Sequence, residues 1–132
     1  MRIYVASGLQ NRERVVLAMD RLRSLGHEIT YDWTRHGDVR SLGEARMEEV
    51  AQNETCGVTG ADIVLLLLPG GKGTHIELGL SLATAKTKRI LLWSETGVEF
   101  GGGADTCVFY HHPAIERIAC PFDELMQTLE KL

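Results

Sequence analysis

The sequence predicts an α/β domain: a flavodoxin-like, doubly wound sheet of five parallel strands with helices on both faces. Three observations carry this. Short apolar runs alternate with segments of helical periodicity along the whole chain. The stretch Ala61 to Leu68 is the strongest strand, and its apolar character implies burial on both faces. A glycine-rich turn, Pro69 to Gly73, then leads directly into a helical pattern. Right-handed crossovers reduce the topologies to a few, of which the flavodoxin type fits best. The 132 residues suit one domain, 1–132, with no repeat, linker or low-complexity segment.

Strand one is Ile3 to Ala6, a β-branched and aromatic run, followed by the loop Ser7 to Asn11. Helix one spans about Arg12 to Leu25, because Val15, Val16, Met19, Leu22 and Leu25 recur at helical spacing. Gly26 stands where a left-handed residue ends it. Glu28 to Asp32 reads as strand two and Trp33 to Arg40 as a polar loop. Ser41-Leu42-Gly43-Glu44 fits a capping box, so helix two runs from there to about Cys56. Strand three is Ala61 to Leu68, helix three Thr74 to Ala85, and strand four Arg89 to Trp93. Thr96 to Asp105 is a glycine-rich loop, Cys107 to Tyr110 a fifth strand, and Phe122 to Leu132 the last helix.

Composition excludes several classes. The net charge is −4 and basic residues are scattered, so a nucleic acid polymer is not the expected partner. The longest apolar run, Ile63 to Leu68, is too short to cross a bilayer. Cys56, Cys107 and Cys120 are odd in number and widely spaced. They read as free thiols in a reducing compartment, so a cytoplasmic setting is expected. No metal site and no cofactor is expected. His111-His112 lacks a third ligand at metal spacing, and no aromatic loops flank a flavin site.

In doubly wound sheets the ligand lies outside the carboxyl ends of the strands, where strand order reverses. The loops after strands one and three should therefore face each other. The Gly-Lys pair in the second loop is not a P-loop, since Leu66 and Gly73 stand where glycine and Ser/Thr are needed. Ile76 likewise breaks the dinucleotide fingerprint. The turn still lets a ligand approach the backbone, and the helix behind it offers unpaired N–H groups to an anion.

Glu77 has two readings. Thr74-His75-Ile76-Glu77 matches a capping box, in which Glu77 reaches back to Thr74. Alternatively Glu77 points into the cleft as a carboxylate nucleophile, kept ionised by the helix dipole. Tyr4, by its place in strand one, reads as plain strand core. Asp32 and Trp33, after strand two, are candidates for a wall against a planar base. His75 reads as a solvent-facing residue.

Gly60-Ala61-Asp62-Ile63-Val64-Leu65 and Pro69-Gly70-Gly71-Lys72-Gly73-Thr74-His75-Ile76-Glu77-Leu78-Gly79 resemble the core of the nucleoside 2-deoxyribosyltransferase family. Ile3-Tyr4-Val5-Ala6-Ser7-Gly8 is similar to its first strand and loop. Asn53-Glu54 with Gly57-Val58 fits its spacing. The resemblance implies that Glu77 attacks C1′ of a nucleoside or nucleotide, that Tyr4 orients Glu77, and that a second base or water takes the sugar. Glu54 stands where the family often has an Asp that contacts substrate. Gly71 stands where its nucleoside-specific members have another Asp. The short glycine-rich form also resembles the nucleoside 5′-monophosphate N-glycosidases. That implies phosphate binding by Ser7, Gly8, Asn11, Gly73 and Thr74, substrate contact also at Gly71, and assembly as a homodimer or larger. Pro-Gly-Gly-x-Gly-Thr-x-x-Glu is shared with phosphoribohydrolases that release cytokinin-type bases. A nucleotide-binding module without catalysis is a further alternative.

Overall fold

The structure, a computed structural model, describes residues 1–132. Five strands form one parallel sheet: β1 (Arg2–Ser7), β2 (Glu28–Ile29), β3 (Ile63–Leu67), β4 (Arg89–Ser94) and β5 (Ile115–Ala119). Their order is β2-β1-β3-β4-β5. Four helices complete the layers: α1 (Arg12–Ser24), α2 (Glu44–Thr59), α3 (Lys72–Ala83) and α4 (Phe122–Leu129). This is the flavodoxin-like, doubly wound architecture. None of the helices is long and apolar enough to cross a membrane.

The centre of the sheet holds the fold. Every side chain of β3 is buried, as are those of Ile3 to Ala6 in β1 and Ile90 to Trp93 in β4. Burial of such side chains stabilises by roughly 1.5–3 kcal/mol each, against about 1–2 kcal/mol per residue of backbone ordering. β2 is only two residues long, and beyond it the chain turns through Asp32 into a short turn, Trp33–Arg35.

Several boundaries differ from expectation. The fifth strand is Ile115–Ala119, not Cys107 to Tyr110, which lies in a single tight turn, Val108–His111. Val108 and Phe109 are exposed there. The true strand hides its identity because it is a sheet edge. Glu116 and Arg117 point to solvent, and Glu116 pairs with Arg89 of β4 at 2.8 Å. The capping box at Ser41 does not form: α2 starts at Glu44 with Gly43 as its cap and no side-chain cap bond, and it continues to Thr59. Helix α4 stops at Leu129, three residues early.

Helix α2 presents Val50, Glu54, Gly57 and Val58 on one face, the i, i+4, i+7, i+8 spacing of a buried stripe. Glycine at 57 is required by close approach. A Cβ there would lie 3.0 Å from both the Tyr4 ring and the Tyr31 Cβ. The helix can therefore lie directly on the Tyr4 ring. Gly79, on the outer face of α3, has open space around it.

Gly57→Ala is expected to destabilise the fold by about 1–2 kcal/mol, since overpacking against a ring outweighs the gain in helix propensity. Gly79→Ala is expected to stabilise it by about 0.5–1 kcal/mol. Urea unfolding of both variants checks the opposite signs.

Candidate active site

The order β2-β1-β3 places the switch in winding between β1 and β3. Their register pairs Ser7 with Leu67, so both strands end level and their following loops face each other. A cavity of about 570 Å³ opens there. Its floor and one rim come from Ser7 to Gln10 and from Gly71 to Thr74, while Trp33, the loop to Arg40, and Val50 and Glu54 of α2 form the opposite wall. Glu77 closes the inner end.

The local structure explains how Glu77 gets there. Helix α3 begins at Lys72, two residues before the expected start. Thr74 is therefore its third residue, and the Thr74 hydroxyl accepts the N–H of Gly71 at 3.2 Å. Glu77 lies a turn further on and does not return to Thr74. It is buried, at 7% exposure, and accepts the hydroxyl hydrogen of Tyr4. The capping reading of Glu77 is thus replaced by an inward one. Gly70 makes the tight turn fit, because a Cβ there would fall 2.4 Å from the Thr74 methyl. At Gly71 a Cβ would meet nothing within 4 Å.

Burial also sets the charge of Glu77. It pushes the carboxyl up to about 8. The hydrogen bond from Tyr4 pulls the other way, and the nearby Glu54 carboxylate adds to the rise. The expectation that the helix dipole would keep Glu77 simply ionised is corrected. The residue sits beyond the first turn, where the dipole fades, and desolvation wins. Tyr4, with no exposed surface, is held far above the ordinary phenol range by burial and by Glu77, so it stays a neutral donor. Glu54 is also raised by burial, with the His36 imidazole opposing.

The other candidates separate into two groups. Ser7, Gly8, Trp33, Glu54, Gly71, Gly73 and Thr74 all line the cavity. The Ser7 hydroxyl donates to the Leu67 carbonyl at 2.7 Å, which ties the two rim loops together. Trp33 donates its indole N–H to the Val5 carbonyl at 2.8 Å and leaves its ring facing the cavity.

Asn11 and Asp32 are not among the lining residues, and their side chains have other partners. Asn11 is buried and its amide donates to the Leu68 carbonyl at 3.4 Å. Asp32 turns away from the cleft to Arg23, at 2.6 Å, and caps the turn at Thr34.

Sequence reasoning missed His36, Arg40, Gln10 and Lys72 as wall residues. The first two lie in a stretch legible only as a polar loop. It is anchored by Arg12, whose guanidinium donates to the Thr34 carbonyl at 2.9 and 2.6 Å. The Nδ1 of His36 bonds the Gly37 carbonyl at 2.9 Å, and its Nε2 is buried without a partner. His75 is not simply solvent-facing either: it is half-buried, with both ring nitrogens engaged.

Among solved structures the chain is similar to a CMP N-glycosidase of Clostridium botulinum, BcmB. The TM-score is 0.70 and the identity 17%, covering 99% of this chain and 98% of that one. It is similar to BlsM with TM-score 0.73 and 18% identity, over 98% of this chain and 86% of that one. A conserved protein of Enterococcus faecalis V583 matches with TM-score 0.62 and 16% identity, over 99% and 98% of the two chains. No family model and no curated protein matches the sequence. At these identities the likeness is one of fold.

The raised Glu77 carboxyl has a measurable sign. The folded state holds its proton more tightly than the unfolded chain. The resulting stabilisation is complete below about pH 4.5, the ordinary value, and is lost as pH rises through about 8. Glu77→Gln should flatten stability over that window relative to the parent protein, as read by urea unfolding at several pH values. In Tyr4→Phe the Glu77 titration, followed by carbon-13 NMR of the carboxyl, should move further up. A Glu77 midpoint in the ordinary carboxylate range would contradict the burial seen here.

Proposed function

We propose that the chain is an N-glycosidase of nucleotides, with nucleoside 5′-monophosphates as the substrate class. The observation that carries this reading is the buried Tyr4–Glu77 pair at the inner end of a cavity whose outer rim is a helix N-terminus. The first half is fitted to an anomeric carbon, the second to a phosphate. The solved CMP N-glycosidase with the same fold supports the choice of reaction class.

Glu77 attacks C1′ of the sugar as a carboxylate, and the bond from C1′ to the base nitrogen breaks with its electron pair on the base. Tyr4 donates to the Glu77 oxygen that does not attack and keeps the carboxyl aligned. Water then attacks C1′, giving its proton to the Glu54 carboxylate, and the ester bond breaks with its electron pair on Glu77, which restores both acids. Whether a second base can take the place of water depends on room above the sugar.

The base needs a proton as it leaves. Glu54 faces the same cavity as Glu77, and the two carboxyls raise the cost of ionising both. One proton is shared by the pair: it rests on Glu77 in the free protein and passes to Glu54 as substrate binds, which leaves Glu77 ionised and supplies the acid and the nucleophile together. Trp33 offers its ring to the base. The 5′-phosphate lies between the Ser7–Gln10 loop and the backbone N–H groups at residues 72–74, beside the Lys72 ammonium. Self-association as a dimer belongs to the same reading, and Ile76, Val108 and Phe109 are exposed apolar side chains available to a second copy.

The test is incubation with nucleoside 5′-monophosphates and with deoxynucleosides, following free base by chromatography. The expected result is release from the monophosphates. Glu77→Ala should lower the rate by ~10³-fold or more, and Tyr4→Phe by ~10²-fold. kcat/KM should fall above about pH 8, where the pair loses its last proton. Full activity in Glu77→Ala would defeat the mechanism. Tight nucleotide binding with no base release by the parent protein would favour the binding-module reading.

A further inference from the structure

His75 and Tyr110 lie outside the cavity wall, yet they connect to it through one carbonyl group. The Nδ1 of His75 is 2.7 Å from the Gly71 oxygen, and its Nε2 is 2.7 Å from the Tyr110 hydroxyl. The two rings lie nearly parallel, with centroids 5.8 Å apart and planes inclined by 28°. A carbonyl oxygen only accepts, so Nδ1 carries the proton of the neutral ring. Nε2 is then the acceptor, and the Tyr110 O–H donates to it. Tyr110 is itself held in the interior, at 4% exposure, by the turn Val108–His111.

The Gly71 carbonyl also accepts the backbone N–H of His75 at 3.3 Å, the first hydrogen bond of α3. The imidazole is therefore a second donor to one oxygen. On its other side Gly71 is held by the Thr74 hydroxyl. This residue needs such restraint, because glycine has little torsional preference of its own.

The geometry of the peptide unit gives the restraint a consequence. The Gly71 carbonyl and the Lys72 N–H belong to one planar trans amide, so they point in opposite directions. Fixing the oxygen toward His75, inside the helix, aims the Lys72 N–H out of the helix end and into the cavity.

We propose that Tyr110 and His75 are positioning residues. They act in series on the Gly71–Lys72 peptide and hold the rim N–H groups in the direction that receives a substrate phosphate. The role rests on the 5′-monophosphate reading above. It assigns to the Val108–His111 turn, remote from the substrate, control over phosphate affinity.

Tyr110→Phe is the informative variant, since it keeps the ring and its packing and removes only the donor to Nε2. His75→Leu removes the whole link. Two measurements separate the relay from the phosphate reading. In the protein without ligand, the nitrogen-15 amide signals of Lys72 and Gly73 should shift in Tyr110→Phe. Signals of β1 and β3 should not change. Unchanged Lys72 and Gly73 amides would overturn the relay, whatever the substrate is.

With ribose 5-phosphate as the probe, titration calorimetry should show a Kd weakened by about 3- to 10-fold in Tyr110→Phe, the worth of one hydrogen bond. With a nucleoside 5′-monophosphate, KM should rise by a similar factor and kcat fall by less. The KM ratio of nucleoside to monophosphate should shrink. An equal loss for phosphorylated and unphosphorylated ligands would mark a merely structural role and overturn the proposal. Parent protein that ignores ribose 5-phosphate, with the amide shifts still present, would instead overturn the phosphate reading and this use of the relay.

Discussion

A carboxyl group sealed inside a parallel sheet domain has few stable arrangements. Here Glu77 has one: the phenol of Tyr4 donates to it from β1, and the rest of the local structure maintains that contact. Burial of the acid costs free energy unless it is protonated or hydrogen-bonded. The chain therefore keeps a neutral donor beside it, and burial of that donor keeps it neutral. The requirement extends outward. Tyr4 can lie flat against its neighbours because α2 carries no side chain at Gly57. The same helix face brings Glu54 to the cavity one turn earlier. An acid, its donor and a second acid are thus placed by two elements, β1 and α2, acting on a third.

Topology supplies the opening. Reversal of winding between β1 and β3 leaves the ends of those strands uncovered by helix, and the register Ser7 to Leu67 makes the two loops meet at one level. The Ser7 hydroxyl on the Leu67 carbonyl and the Arg12 guanidinium on the Thr34 carbonyl then pin the walls. Bonds to backbone oxygens thus hold the walls, and one ion pair, Arg40 with Asp38 at 2.6 Å, lies in the lining itself. The Arg23–Asp32 pair is not part of the lining.

Sequence pattern reached the centre of this fold and lost accuracy at its margins. β1, β3 and β4 were legible because burial on both faces writes an apolar run. β5 was not, since an edge strand with Glu116 and Arg117 outward carries no such run, and the apolar Val108 and Phe109 drew the assignment away. At the cavity, the pairing of Tyr4 with Glu77 was legible through resemblance to a known pattern, and the glycine turn through its composition. The first turn of α3 was misplaced by two residues, which is why spacing left a capping reading of Glu77 open beside the cleft-facing one. His36 and Arg40 were invisible because their loop takes its shape from distant anchors. The partner of Asp32 was not legible, because nothing in its neighbourhood reveals that Arg23, on α1 and across β2 in sequence, would claim it.

Gly71 is neither crowded nor in a left-handed conformation: its φ of −98° is open to any residue, and an added carbon would touch no atom. Neither torsion nor packing therefore demands glycine at the mouth of α3. What the missing side chain preserves is vacancy in the cavity that Glu77 also lines. That makes position 71 an adjustable gate on the size of the guest, and the place where a new functional group could be grafted into this cleft without disturbing its frame.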